Sequence, residues 1–399
     1  MINKRIATAI ATGALLLNSF GAPAFAATNL QVTGNGSKSD SEVKLDLNKS
    51  NTVVQNNKAD VTNKVNVKAN TGNNDAKDNT GGDVRIESGD SDVAVAVKNM
   101  LNQNSAAVSC CESGDTTVKV DGNGSKSDNK VELDMDNSNE LFQDNSAKVK
   151  NDVKVDAKTG HNDANDNTNG DVMIESGDSA VSVGLLTFAN SNFAMLGGGD
   201  EEGGALSLWI SGNGSKSDNE IDAKLDNSST VKQDNNAHVY NDVDVDAETG
   251  RNDANDNTGG EVSIETGDAD VATLVANVGN FNWADLACDC LFDDVTAKVA
   301  DNGSKSDNEI SLDSEGENEL FQDNSAHLNN DIDGVEASTG NNETDDNTLG
   351  SEGGDPAIET GDAGVGAEVL NQFNANEAGI GGDFEFDFDW DEMLGSIFG

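Results

Sequence analysis

Proline, histidine, cysteine and aromatic side chains are all scarce in this chain: 2 Pro, 3 His, 4 Cys and 4% Phe, Trp and Tyr in 399 residues. Few prolines leave long strands uninterrupted. Few aromatics leave little from which to build the ring-filled core of an ordinary sandwich domain. The histidines do not gather into a site. His238 and His327 fall at the same place in successive repeats and His161 sits in a turn, while GxSxG, HExxH and Walker patterns are absent, so catalysis is not expected. Positive charge is short too. Lys and Arg number 24 against 74 Asp and Glu, a net charge of −50, which argues against nucleic acid and anionic membranes as partners. After residue 26 no apolar run approaches the roughly 18 residues that a membrane span needs.

Low hydrophobicity with high charge is also the composition of disordered chains. What stands against disorder is a strict alternation that occurs four times. In the second copy, Gln143, Asn145, Ala147, Val149, Asn151, Val153, Val155 and Ala157 take every second position, and the residues between them are almost all polar. Copies one and three begin at Gln55 and Gln233 and keep the same pattern. A period of two puts one set of side chains on one face of a β-strand. The fourth copy, from Gln322, gains Gly334 before Val335 and Ala337, after which the alternation resumes. One extra glycine that restores the pattern in the other phase reads as a β-bulge. Inward Gln and Asn would be costly in a lone globular core, but suit a stacked structure in which identical amides bond along a ladder. Fifteen residues would span roughly 50 Å, long for one strand, so a corner is expected near Asn63, Asn151, Asn241 and Asn330.

The repeat is long. GSKSD begins at Gly36, Gly124, Gly214 and Gly303, spacings of 88, 90 and 89 residues. A Thr-Gly turn, an Asp/Asn-rich loop and an IESGD or IETGD strand end follow in each copy. The predicted architecture is an all-β, solenoid-like stack of four repeats of about 89 residues, with tandem β-sandwich domains as the alternative. At four coils per repeat it would be a rod of roughly 75–80 Å. The segments are a signal peptide (1–26), repeats at 27–105, 122–192, 212–282 and 301–376, connectors at 106–121, 193–211 and 283–300, and an acidic-aromatic tail (377–399). Lys4 and Arg5, the apolar run from Ile6 to Leu17 and the Ala24-Phe25-Ala26 site define that signal, and imply an exported chain at the cell surface.

Two resemblances follow from these motifs. Asn145, Ala147 and Val149, in an N-x-A-x-V arrangement followed by Asn151, resemble the curlin-type repeats of secreted amyloid fibres. The fuller pattern TGxNDAxDNTGGxVxIxTGDA is similar to Asn/Gly-rich tandem-repeat surface proteins of small-genome bacteria. The resemblance implies an extracellular structural role, a fibre former or fibre decoration, and carries no catalytic residue across. An adhesin with a repetitive stalk is the second expectation, with Phe188, Phe193, Leu196 and Trp209 around the second connector as its binding surface.

Three sets of candidate site residues remain. Asp75, Asp78 and Asp83 recur as Asp163, Asp166 and Asp171 and as Asp253, Asp256 and Glu261, hard oxygen ligands that suit calcium; the alternative is a solvated turn that caps its own backbone. Cys110 and Cys111, and Cys288 and Cys290, lie in two connectors that a rod would hold far apart, so disulfides are expected within each pair or between molecules; a four-cysteine metal site lacks the usual CxxC spacing. Finally, the connectors read as hairpins, of which each chain end carries one half: Leu30 and Val32 at one end, Phe384, Phe386, Phe388 and Trp390 at the other. Strand pairing between these ends would polymerise the chain head to tail; the alternative is a tail that folds back to cap its own last coil. The outward charges agree, changing from Lys58, Lys64 and Lys68 in the first repeat to Asp323, Asp331 and Asp333 in the last.

Overall fold

The computed structural model describes residues 18–20, 27–108, 114–197, 204–287, 292, 294–348 and 355–380. A short strand, β1 (Asn18–Phe20), precedes four equivalent sets. The first is β2 (Thr28–Thr33), β3 (Asp40–Asn70), β4 (Val84–Glu87) and β5 (Ser91–Val108). The second is β6 (Thr116–Asp121), β7 (Asp128–Lys158), β8 (Val172–Ser176) and β9 (Ser179–Gly197). The third is β10 (Ala205–Ser211), β11 (Asp218–Glu248), β12 (Val262–Thr266) and β13 (Ala269–Ala287). The fourth is β14 (Asp294–Ala300), β15 (Asp307–Asp331), β16 (Val335–Ser338), β17 (Ala357–Thr360) and β18 (Ala363–Ile380).

Every one of these strands pairs in parallel with its equivalents one repeat away, in orders β2-β6-β10-β14, β3-β7-β11-β15, β4-β8-β12-β17 and β5-β9-β13-β18; β16 continues β15 against β11, and β1 adds to the outside of β5. One repeat is therefore one coil, and the molecule is a β-solenoid of four coils. The expected sixteen-coil rod is corrected: four strands at about 4.8 Å rise only about 19 Å along the axis. Tandem sandwiches are excluded as well, since no repeat pairs its strands internally. Among the described residues the connectors are not hairpins, because β5 and β6 belong to different sheets and do not pair with each other.

The expected corner at the central Asn is absent too. β3, β7 and β11 each run 31 residues without a break, about 100 Å. The reason is visible in the alternation, which keeps one phase from Val43 through Ala69, and in the partners that the inward Asn residues find without any turn. The bulge is where the glycine placed it. Asp331 pairs with Asp242 and Val335 with Val245, three residues against two between the rungs, and Gly334 takes a left-handed φ of 77°.

The two long sheets face each other, running in opposite directions: Ser179 at the start of β9 donates to the Ala157 carbonyl at 2.9 Å, while Gln143 donates to the Phe193 carbonyl, also at 2.9 Å. The sheet of β6 covers the start of the long strand, closing a core of Val118, Val120, Val131, Leu133, Leu208 and Ile221. The sheet of β9 covers the rest, with Val153, Val155, Val181, Val183, Val243 and Val245 in one cluster and Leu141, Leu196, Val231 and Leu286 in another. A small separate core of Ile86, Ala164, Ile174, Ala254 and Ile264 holds the acidic turn against the β8 sheet. Aliphatic side chains thus fill both ends of the slab, and its middle is polar.

Candidate functional site

That polar middle is organised by amides. Gln143 donates from Nε2 to Oε1 of Gln55, Gln233 to Gln143, and Gln322 to Gln233, each at 2.8 Å. The second proton of each reaches across to a carbonyl of the facing sheet: Ser105, Phe193, Trp283 and Glu377. Beside it Asn145 donates to Asn192, Asn235 and the Ser191 carbonyl. Asn63, Asn151, Asn241 and Asn330 form a third column, each bonding the next at 2.6–2.8 Å. The ladder expected from the alternation is present, with rungs one full repeat apart.

A fourth column was not anticipated. Asn102, Asn190, Asn280 and Asn374 take left-handed φ values of 54–65°, and the strand register skips each of them. Each is a left-handed kink shared in register by its neighbours: Asn102, Asn190 and Asn280 each donate to the next Asn at 3.0 Å and to a carbonyl of the long strand, and Asn374 ends the column as an acceptor. The signal was an Asn recurring with the repeat inside the segments LNQN, ANSN, GNFN and FNAN.

One column is interrupted, and its gap makes a prediction. Asn51 donates to Asn139 at 2.8 Å, but the next rungs are Ser229 and Asn318. Asn139 Nδ2 and the Ser229 hydroxyl are buried without a hydrogen-bond partner. Ser229→Asn should complete the column and stabilise the chain by about 1 kcal/mol, the usual net worth of a hydrogen bond, read as a higher denaturation midpoint.

Charged columns run along the outside. Lys44 pairs with Glu132 and Lys64 with Asp152, each at 3.2 Å, and Lys130 pairs with Glu132 and Glu220; the hydrogen bonds it donates to those two carboxylates raise its pKa to about 12. Glu248 is nearly inaccessible, 1% exposed, and three side chains from two coils surround it: the Lys158 ammonium at 3.2 Å, the His161 imidazole at 2.9 Å and the Arg251 guanidinium at 2.5 Å. Burial opposes the charge of Lys158, but Asp246 and Glu248 outweigh it and its pKa is raised. This cluster was invisible in the sequence because none of its members recurs in all four repeats.

Asp128, Asp218 and Asp307 share a like-charged column, and burial first, then its two neighbours, raise the pKa of Asp218. A carboxyl raised on folding favours the native state below its unfolded pKa, and that contribution is lost as pH rises through the folded value. Asp218→Asn should therefore be more stable than the parent at pH 7 by a few tenths of a kcal/mol, with the difference in melting temperature vanishing near pH 3.

The acidic turns are placed plainly. Asp75, Asp163, Asp253 and Glu343 form consecutive bridges along the axis, and Lys77 sits against Asp75 and Asp163. Asp78, Asp166 and Asp256 hold left-handed turns, with φ of 55–61°. Asp83 accepts from the Asp171 backbone at 3.1 Å, and Asp171 from that of Glu261 at 2.9 Å, so these side chains cap the next coil. Among the described residues no group of three or more His, Cys, Asp or Glu is gathered to hold a metal. Cys110, Cys111, Cys288 and Cys290 lie outside the described residues, as do Phe384, Phe386, Phe388 and Trp390. The distance argument about the cysteines changes, however. Val108 aligns with Leu196 and Leu196 with Leu286, so the two Cys-bearing connectors leave the same sheet only two strands apart, about 9.6 Å.

Leu30 and Val32 pair with Val118 and Val120, and Val32 is buried in the first core cluster. Of the second connector's apolar residues, Leu196 is fully buried, Phe193 packs 5.6 Å from the Phe281 ring, and the exposed Trp209 lies under the Lys298 ammonium. Comparison with protein-family models, curated proteins and solved structures gives no match.

Proposed function

We propose that the chain is an exported structural protein that forms, or decorates, an extracellular fibre or matrix at the cell surface. One observation carries this: the interior is spent on amide columns that tie each coil to the next along a single axis. In-register Gln and Asn ladders of this kind are the means by which stacked β-assemblies gain cohesion. The outward carboxylates keep the faces of the slab soluble, so that growth is confined to the axis. The partner in this role is another copy of the chain or another surface component.

Electron microscopy of the purified chain, with immunogold labelling of intact cells, tests the proposal. Uniform fibres and surface label are expected. Isolated particles that decorate only ligand-coated supports would favour the adhesin reading, and label confined to the cytoplasm would end both.

A further inference from the structure

A four-coil stack has two open ends. Among the described residues, β2, β3, β4 and β5 at one end lack a neighbour except where β1 touches Ala106–Val108; at the other, β14, β15, β17 and β18 end their sheets. Open edges as long as β3 invite pairing unless something blunts them.

Glycines point to what covers them. A Cβ on Gly72, Gly160 or Gly250 would lie 1.7–1.8 Å from a carbonyl oxygen of the following coil, so each is required by close approach. Gly340 holds the same position in coil 4, where a Cβ would meet nothing. The opposite face repeats the pattern. A Cβ on Gly124, Gly214 or Gly303 would lie 2.4–2.5 Å from backbone of the preceding coil, whereas one on Gly36 in coil 1 would meet nothing. Neither Gly36 nor Gly340 has a left-handed φ. Within one molecule, then, neither needs to be glycine. Both face outward at the two ends, where only a stacked neighbour would require it.

Charge and apolar surface agree. Residues 307–338 of coil 4 hold ten Asp and Glu and no Lys or Arg, whereas β3 carries five Lys against four carboxylates. Two like ends would repel; unlike ends attract. Leu312 and Ile358 in coil 4 are 41% and 44% exposed, while their counterparts Ala223 and Ile264 in coil 3 are 0% and 1% exposed.

We infer that coil 4 of one molecule stacks on coil 1 of the next, in the same parallel register that joins coils within the molecule. The inference rests on the fibre reading above and replaces tail-strand pairing as its joint. Gln322 then meets Gln55 of the next copy, Gly340 meets Gly72, Asp331 meets Lys64 and Glu336 meets Lys68. Each molecule adds four coils, about 19 Å, to an unbroken solenoid. In the uncleaved chain β1 fills the place that Ala378–Ile380 of the neighbour would take, since Ala106, Ala194, Ala284 and Ala378 share one column.

The experiment uses the chain cleaved after Ala26: wild type, Gly36→Ala, Gly340→Ala and a deletion of 383–399, each followed by cryo-electron microscopy and monomer melting. Wild-type and tail-deleted chains should form fibres with a subunit repeat of about 19 Å. Each glycine variant should lose polymer by about tenfold or more with its monomer melting temperature unmoved. Fibres that persist in both glycine variants, or vanish only with the tail, would overturn the stacking and leave the fibre reading in place. A wild-type chain that stays monomeric at high concentration would remove both.

Discussion

Gln143→Leu should lower the unfolding free energy by about 2–4 kcal/mol, although leucine is close to glutamine in size and apolar. Gln143 is 1% exposed. Its loss leaves fully buried Gln233 without the acceptor of its 2.8 Å bond, and leaves the carbonyl of half-buried Phe193 and the Oε1 of half-buried Gln55 without a donor. At about 1–3 kcal/mol for each stranded polar group, hydrophobic gain does not offset the loss. The same change at Gln322 should cost less, about 1–2 kcal/mol, because it strands only the buried Gln233 Oε1 and the carbonyl of half-buried Glu377, the second of which lies in an end coil open to solvent. Denaturant midpoints of the two variants measure the contrast; equal midpoints would show that the ladder contributes little.

Gly160→Ala should be strongly destabilising for a change of one methyl group. The added carbon would sit 1.8 Å from the Gly250 carbonyl oxygen and 2.6 Å from that of Thr249. Backbone must move, and the bonds from Thr159 to Glu248 at 2.9 Å and from His161 to Gly250 at 3.0 Å are the ones that give. A destabilisation on the order of 3 kcal/mol or more is expected, from overpacking together with stretched hydrogen bonds. Hydrogen exchange should show it as lost protection at the Thr-Gly turns of coils 2 and 3, with the far GSKSD end unaffected.

Much of this fold was legible in the residues. The alternation from Gln143 to Ala157 gave the strand and its inward face, and Gly334 gave the bulge. The misjudged quantity was the size of a coil, and the ladder itself contained the answer. A ladder joins each side chain to its identical counterpart in the neighbouring coil, and Gln55, Gln143, Gln233 and Gln322 recur once per repeat, so a coil had to be a whole repeat long. The expected corner came from ordinary strand lengths rather than from any residue, for the odd-numbered inward set runs unbroken from Val43 to Ala69. Lys49 and Asn51 obscured that continuity by being polar at inward positions. The Glu248 cluster and the left-handed Asn102 column were beyond reach for another reason: the first depends on residues that do not recur, and the second on a backbone angle that Asn tolerates without announcing.

The spacing of the rungs also dictates how the chain reaches this state. The long ladders join residues 88 to 94 positions apart, and 88 of 399 is about 0.22 of the chain, in the range of the slowest two-state β-proteins. No hairpin forms early to seed a sheet, and loop-closure entropy must be met before the first rung repays it. The first coil has no partner until about 90 further residues have arrived. A chain emerging N-terminus first therefore passes through a long interval with nothing to pair, and each finished coil becomes the template on which the next is laid.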